Sequence, residues 1–215
     1  MQARMKMTML VVGILLLSLI MPRMGRVSAQ SVESTISPIL YTTQQGGSGG
    51  QPVSVLSVMD QSGTADNPAA YVSFTTPISL YTGTQVFQFP AGVAKSSVDT
   101  MKLVVNYKGP LASAQKWTWS LYNSSKLIWV SVGTNAGVTS SSSWSRLEFS
   151  IAGPSSYINA NGEIRVLLHS SNARGDARVD YEAIVFTTSS SATPTSTLVL
   201  PTATSLPTFT PSPTM

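Results

Sequence analysis

The chain of 215 residues contains no cysteine and a single histidine, His169. Without thiols it can form no disulfide, cysteine nucleophile, thiolate metal centre or dithiol redox pair. One histidine without cysteine also argues against zinc, because protein zinc sites take several nitrogen or sulfur ligands. A domain of this length buries enough apolar surface to fold without disulfides.

Charge is also scarce, since only 10% of the residues are charged, with 13 basic against 9 acidic. Four of the basic residues lie within the first 29 residues: Arg4, Lys6, Arg23 and Arg26. The rest of the chain therefore carries nine basic and nine acidic residues and is neutral. Because it also lacks a basic run, we expect no binding to nucleic acid.

The first 29 residues have the organisation of a secretory signal peptide. Arg4 and Lys6 precede the apolar run 9–21, and Val27-Ser28-Ala29 supplies small residues at a cleavage site. The apolar run is shorter than the roughly 20 residues that cross a bilayer, which favours cleavage over an uncleaved anchor. We therefore expect a mature chain that starts near Gln30, has no membrane span and is secreted or held at the cell surface.

Helical periodicity is missing between residues 30 and 186, where short alternating segments are separated by Gly, Pro, Asn and Ser. This pattern predicts an all-β domain, an antiparallel β-sandwich of jelly-roll type. We predict a signal peptide at 1–29, a flexible segment at 30–51 and the β-sandwich at 52–187. Residues 188–215 are rich in Thr, Ser and Pro and predict a disordered linker or stalk.

Two alternating segments near the end of this domain, 162–169 and 177–186, predict an antiparallel hairpin. Side chains alternate between the two faces of a strand, so the apolar residues of both segments would share one face. The other face would collect the densest group of ionisable residues in the chain: Arg165, His169, Arg178, Asp180 and Glu182.

Two carboxylates of this face, Asp180 and Glu182, are two residues apart, and a carboxylate pair is what a glycosidase requires. Cross-strand ion pairs such as Arg165 with Glu182 are the simpler interpretation. The one Gly-x-Ser-x-Gly spacing, Gly46 to Gly50, falls in the glycine-rich flexible segment and not at a turn from a strand into a helix, so a serine nucleophile is not indicated.

The tryptophans differ in their surroundings. Trp117 and Trp119 share a strand face with Leu121, which predicts two core residues. Trp129 alternates with Ile128 and the valines that follow it, so we expect an exposed ring that can stack on a sugar. The predicted ligand-binding residues are therefore Arg165, His169, Asp180, Glu182, Trp129 and Asp176.

Calcium is the one metal for which the chain offers suitable donors. Asp60, Asp66 and Asp180 provide carboxylate oxygens, the ligand type that calcium prefers. Turn capping by Asp66 and Asn67 is the alternative explanation for part of this set. No other cofactor is expected.

Several segments resemble a non-catalytic module of bacterial exported proteins, namely 105–110, 117–119, 129–133, Trp144, 147–149, 157–158, 162–168 and 180–184. This is the accessory module of endo-α-1,4-polygalactosaminidase-like proteins of glycoside hydrolase family 114, and the resemblance spans residues 101–186. It implies a jelly-roll domain that holds an enzyme near a polysaccharide, here an amino-sugar polymer. The family's catalytic domain is an α/β barrel, for which the present sequence has no counterpart.

The sequence thus favours an exported, non-enzymatic β-sandwich that binds carbohydrate, accessory to a glycosidase or to a cell-surface polysaccharide. Two alternatives stay open. One is a structural or adhesion module of the cell surface without a sugar site. The other is a fragment of an endo-α-1,4-polygalactosaminidase-like hydrolase that lacks its catalytic domain. A polar groove bearing an aromatic ring favours binding, whereas a flat face of ion pairs favours the structural role.

Overall fold

The computed structural model describes residues 30–190, which form eleven strands joined by turns and short 3-10 helices. None of the helices among these residues is long and apolar enough to cross a bilayer. The predicted signal peptide and most of the predicted linker lie outside the described residues. The strands are β1 (Gln30–Ile36), β2 (Pro38–Gln45), β3 (Gly47–Ser48), β4 (Val72–Thr75), β5 (Thr82–Gln88), β6 (Val98–Lys108), β7 (Trp117–Asn123), β8 (Ile128–Thr134), β9 (Ser145–Ser150), β10 (Glu163–Ser170) and β11 (Ala177–Ser190).

The strands form two antiparallel sheets. The six-stranded sheet has the order β3-β4-β11-β6-β9, with β1 paired to the second half of β11. The five-stranded sheet has the order β2-β5-β10-β7-β8. The predicted all-β antiparallel sandwich is therefore confirmed.

The flexible segment predicted at 30–51 instead contains β1, β2 and β3. These strands have few buried side chains, since β1 is largely exposed and β2 buries only Pro38 fully. β1 has polar residues on both faces and β2 begins with the consecutive apolar residues 38–41, so neither shows the alternation on which strand prediction depends.

The core lies between the sheets and is dominated by aromatic side chains. Trp117 and Trp119 are completely buried, as the sequence predicts. The Trp119 ring centroid lies 5.9 Å from that of Tyr107 and 5.6 Å from that of Phe149, so it joins β7 to both β6 and β9. Burial of a tryptophan is worth about 4–6 kcal/mol by area. The indole N–H groups of both tryptophans have no hydrogen-bond partner among the described residues, which offsets about 1–3 kcal/mol of this gain for each.

The prediction that 162–169 and 177–186 form a hairpin is wrong. β10 lies in the five-stranded sheet between β5 and β7, whereas β11 lies in the six-stranded sheet. The connection between them crosses from one sheet to the other. Both strands direct their apolar sides at the same core. Alternation alone does not show whether two such strands are paired in one sheet or lie in opposite sheets with the core between them.

A β-bulge on β11 overturns the predicted polar face as well. Val179 pairs with Tyr107 and Tyr181 with the preceding residue, Asn106, so Asp180 is an extra residue in its strand. Beyond the bulge the alternation changes phase, and Glu182 takes a core-facing position. The prediction that Arg165, His169, Arg178, Asp180 and Glu182 share one exposed face is therefore wrong.

Glu182 is a buried carboxyl group in an apolar setting. It pairs in register with Val105, is 1% exposed, and its Oε1 has no hydrogen-bond partner among the described residues. Burial raises the pKa of Glu182 to about 8. The carboxyl group is therefore mainly protonated at neutral pH, because the core disfavours the ionised form.

Replacing Glu182 by glutamine is expected to remove much of the pH dependence of stability. The folded pKa of about 8 lies above the ordinary value of 4.5, so between these pH values only the folded state holds the proton. The parent therefore loses stability as pH rises through this window. Between about pH 5 and pH 8, the unfolding free energy of Glu182→Gln should gain on the order of 4 kcal/mol relative to the parent.

Urea unfolding at several pH values measures this difference. Glu163→Gln, which changes a carboxylate with a lowered pKa, is the matched control and should show no such gain above about pH 5. If the difference in unfolding free energy between Glu182→Gln and the parent does not change with pH, the raised pKa of Glu182 is contradicted.

Gly133 on β8 is required by the close approach of the two sheets. A Cβ atom there would lie 2.1 Å from Cδ1 of Phe149. We expect Gly133→Ala to cost about 1–3 kcal/mol, because the core must move to admit the methyl group. Gly137→Ala is the control, since its Cβ would make an ordinary contact of 3.6 Å with Leu147. Equal unfolding free energies for the two variants would show that the Phe149 contact does not matter.

Candidate functional site

The outer face of the five-stranded sheet brings together three of the six predicted ligand-binding residues. Glu163, Arg165, Leu167 and His169 alternate along β10 with buried residues and therefore face outward. Trp129 lies on β8, the edge strand of the same sheet. Arg165, His169 and Trp129 thus belong to one surface, whereas the other predicted residues do not.

One row of side chains crosses this outer face. Leu40 on β2 pairs in register with Val86 on β5, and Val86 pairs with Arg165 on β10. Tyr122 on β7 pairs with Trp129 on β8. The row therefore begins with aliphatic side chains, has a guanidinium group near its middle and ends with aromatic rings.

A shallow groove of about 460 Å³ follows this row across the strands. Trp129 on β8 and Arg165 on β10 both line this groove, although β7 lies between their strands. The indole of Trp129 therefore extends over β7. We call this feature the sheet groove; its lining residues are Ile39, Leu40, Thr42, Gln44, Thr84, Val86, Trp129, Glu163 and Arg165.

Trp129 is exposed, as the sequence predicts, with 39% of its surface accessible. Its ring centroid lies 5.2 Å from that of Tyr122, with an angle of 62° between the ring planes. The edge-to-face contact limits the orientations of the indole. An exposed indole of restricted orientation is suited to packing against a flat apolar surface.

Arg165 is paired with a residue that sequence reasoning missed. Its Nη2 donates to Oε2 of Glu163 at 3.0 Å, and Asn159 Nδ2 donates to the same oxygen at 3.0 Å. The pKa of Glu163 is lowered chiefly by the hydrogen bond from Arg165 and secondarily by the hydrogen bond from Asn159. The predicted pair of Arg165 with Glu182 is therefore replaced by a pair within β10. The signal was present, since residues 163 and 165 are two apart on one strand.

His169 is exposed at the far end of β10, where it pairs in register with Thr82 and Thr118. Partial burial and, secondarily, the charge of Lys116 lower the pKa of His169. The imidazole is therefore neutral at pH 7. It lies four positions from Arg165, about 13 Å along the strand, and it does not line the sheet groove.

Asp180 fixes a loop and is inaccessible from the surface. Its Oδ2 accepts a hydrogen bond of 2.7 Å from the backbone N–H of Gln61, and Asn106 Nδ2 donates to the Gln61 carbonyl at 2.9 Å. Burial raises the pKa of Asp180 to about 6, against the lowering effect of the hydrogen bond from the Gln61 backbone. Loop 57–67 thus covers the part of the six-stranded sheet around Asp180 and Asn106. Neither Asp180, under this loop, nor Glu182, in the core, reaches a ligand at the surface.

Asp66 connects the same loop to the sheet. Its carboxylate accepts hydrogen bonds from Tyr71 Oη at 2.7 Å and from Arg178 Nη1 at 2.8 Å, and it lies 3.5 Å from Lys108 Nζ. The Tyr71 hydrogen bond, followed by the Arg178 and Lys108 charges, lowers the pKa of Asp66. Arg178 is therefore tied to the loop.

The three predicted calcium donors have separate partners. Asp66 binds Arg178 and Tyr71, Asp60 accepts a hydrogen bond from the Gln61 side chain, and Asp180 binds the Gln61 N–H. Within residues 30–190 no three acidic or histidine side chains converge as a metal site would require. Calcium binding at these residues stays a prediction.

Asp176 lies in the connection before β11, away from the sheet groove. Its Oδ1 accepts a hydrogen bond of 3.0 Å from the N–H of Thr76, whose hydroxyl donates to the Gly175 carbonyl at 3.0 Å. The carboxylate therefore holds two loops together at the end of the sandwich.

Several solved structures are similar to this chain, although weakly. Dimeric latent PorU from Porphyromonas gingivalis matches at 12% identity with a TM-score of 0.40; the match covers 76% of this chain but 14% of PorU. The CBM22-1 xylan-binding domain from Paenibacillus barcinonensis Xyn10C matches at 12% identity and a TM-score of 0.40, covering 73% of this chain and 95% of that domain. CBM35 from Cellvibrio japonicus Abf62 matches at 11% identity and a TM-score of 0.36, and the match covers 72% of this chain and 92% of CBM35. At these values no function is transferred.

No curated protein sequence matches the chain significantly. A family match is nevertheless found for residues 56–181, which make up more than half of the chain and include Trp129, Glu163 and Arg165. The family is described as the N-terminal glycosyl-hydrolase-114-associated domain. The match begins well upstream of residue 101, where the resemblance in the sequence starts. The family predicted from the sequence is confirmed, and the chain belongs to the glycosyl-hydrolase-114-associated domains.

Proposed function

We propose that the chain is a non-catalytic, carbohydrate-binding module that acts outside the cell beside a glycosidase, and that a polysaccharide lies in the sheet groove. The observation that carries this proposal is the position of Trp129. Its exposed indole borders a groove that also contains the charged pair Arg165–Glu163.

The groove offers both kinds of contact that a sugar needs. A sugar ring has apolar C–H faces and a rim of hydroxyl groups. The indole of Trp129 and the aliphatic side chains of Leu40 and Val86 can pack against the faces. The guanidinium of Arg165 and the carboxylate of Glu163 can donate to and accept from the hydroxyl groups in charge-assisted hydrogen bonds.

The shape of the groove favours a chain over a single sugar. It runs across the strands, and the five strands from β2 to β8 span about 19 Å at the usual spacing. A long, open surface of this kind can contact several consecutive residues of a polysaccharide.

We propose an amino-sugar polymer as the first ligand to test, because the family is associated with glycoside hydrolase family 114. Glu163 is the ionised carboxylate of the sheet groove and would pair with the ammonium groups of such a polymer. An attraction between exposed charges weakens with added salt, since screening acts over about 10 Å at 0.1 M. Binding that is independent of salt would favour a neutral polysaccharide.

Trp129→Ala is expected to weaken binding by about tenfold or more, because a loss of about 1.4 kcal/mol in stacking corresponds to a factor of ten. Affinity electrophoresis through immobilised galactosamine polymer and through neutral polysaccharides, at low and high salt, measures the retention. The domain should stay folded, because the indole lies at the surface and loss of its contact with Tyr122 costs only about 0.5–1.5 kcal/mol.

Ile128→Ala is the matched control, because Ile128 is an exposed neighbour that lies outside the sheet groove. Its retention should equal that of the parent. If Trp129→Ala is retained as strongly as the parent on every glycan, the groove is not the binding site. If the parent is retained on none, the structural alternative takes precedence.

A further inference from the structure

A second cavity lies at one end of the sandwich, where the loops around β6 and β11 meet. We call it the end pocket; it has a volume of about 500 Å³ and is lined by Lys108, Gly109, Pro110, Leu111, Ala114, Ser141, Gly175, Asp176 and Arg178. This volume is within the ~300–1,000 Å³ usual for small-ligand sites. We propose that the end pocket is a second saccharide site, separate from the sheet groove and selective for an uncharged sugar residue.

Arg178 presents a fixed guanidinium group to the end pocket. Its Nη1 donates to Asp66 at 2.8 Å, and the guanidinium carbon lies 5.6 Å from the centroid of the Tyr71 ring. Its remaining N–H groups have no hydrogen-bond partner among the described residues. Because the group is already held in place, little side-chain entropy is lost when a ligand binds to these donors.

Asp176, which directly precedes β11, presents a fixed carboxylate to the same pocket. Oδ1 accepts from the N–H of Thr76, while Oδ2 has no hydrogen-bond partner within residues 30–190. Arg178 pairs with Asp66, and no ion pair joins it to Asp176 in that same range. A donor and an acceptor of opposite charge therefore stand apart in one pocket.

The charges around the end pocket cancel. Lys108 is 6% exposed, lies 3.5 Å from Asp66 and donates to the Ala65 carbonyl at 3.0 Å, so its charge is directed at the covering loop. The lining has two cations, Lys108 and Arg178, and one anion, Asp176; the second anion is Asp66, which lies outside the lining within 3.5 Å of both cations. The balance disfavours a charged ligand of either sign. Two neighbouring hydroxyl groups of a sugar can satisfy both charged side chains, because one hydroxyl accepts a hydrogen bond from Arg178 and the next donates one to Asp176.

The walls of the end pocket depend on two glycines. A Cβ on Gly109 would lie 2.6 Å from Tyr107 Oη, and a Cβ on Gly175 would lie 2.8 Å from Pro110 Cγ. Bare backbone is therefore required where the two loops approach each other. Beside Gly175, buried Gln115 has an Oε1 without a hydrogen-bond partner in the described part of the chain.

The test is an NMR titration of the chain from Gln30 to Met215 with three uncharged oligosaccharides, namely xylotriose, maltotriose and β-1,4-galactotriose. Oligomers of galacturonic acid and of galactosamine are the charged comparisons. We expect at least one neutral sugar to shift the backbone amides of Gly109, Gly175 and Asp176. Ala114→Trp fills the exposed side of the pocket and should weaken this response at least tenfold, whereas Ala136→Trp, an exposed alanine outside the pocket, should not.

Two further variants make the result decisive. Asp176→Asn keeps an oxygen for the Thr76 N–H but loses the charge, so it should weaken the neutral sugar several-fold without unfolding the domain. Trp129→Ala should leave the end-pocket shifts unchanged, which separates this site from the sheet groove. The proposal is overturned if no sugar shifts these amides, if only charged sugars do, or if Ala114→Trp responds like the parent.

Discussion

Burial of the aromatic side chains between the two sheets is the interaction on which the rest of the structure depends. Trp119 contacts Tyr107 of one strand and Phe149 of another, both in the opposite sheet. This contact decides which side of each strand faces inward. Alternate residues of β7, β10 and β5 are then left on the outer surface, where Arg165 and Val86 line the sheet groove and Tyr122 packs against Trp129. The site is thus a by-product of how the core is filled.

The core also contains polar groups that it does not satisfy. The side chain of Gln85, the two indole N–H groups of Trp117 and Trp119 and one oxygen of Glu182 lack hydrogen-bond partners within residues 30–190. Each such group costs about 1–3 kcal/mol when buried. The cost for Glu182 is limited by proton uptake, because the neutral acid is much cheaper to bury than the carboxylate. The stability of the fold is therefore linked to pH through a core residue that does not line the sheet groove.

Local alternation in the sequence was enough to predict the strands that line the core, the buried Trp117 and Trp119, and the exposed Trp129. Each of these depends only on neighbours along one strand. The position of Glu182 depends on a single extra residue in β11. A bulge has no signature here, because 177–182 alternates and the apolar residues 183–186 that follow fit either phase. The placement of β10 and β11 in different sheets, and the covering of Asp180 by a distant loop, depend on contacts between remote segments. The predicted polar face failed for these reasons.

The pairing of β1 with the second half of β11 has a mechanical consequence. Gln30 lies opposite Ser190, so the described fold begins and ends at the same point of the six-stranded sheet, away from the sheet groove. A force that acts between the sheet groove and the chain beyond Ser190 would be transmitted through β11. That strand is bonded to β6 on one side and to β4 and then β1 on the other, so the load falls on many hydrogen bonds at once and acts along the strand. A pull between the two chain ends themselves would instead open the β1–β11 pair one bond at a time, beginning at Gln30.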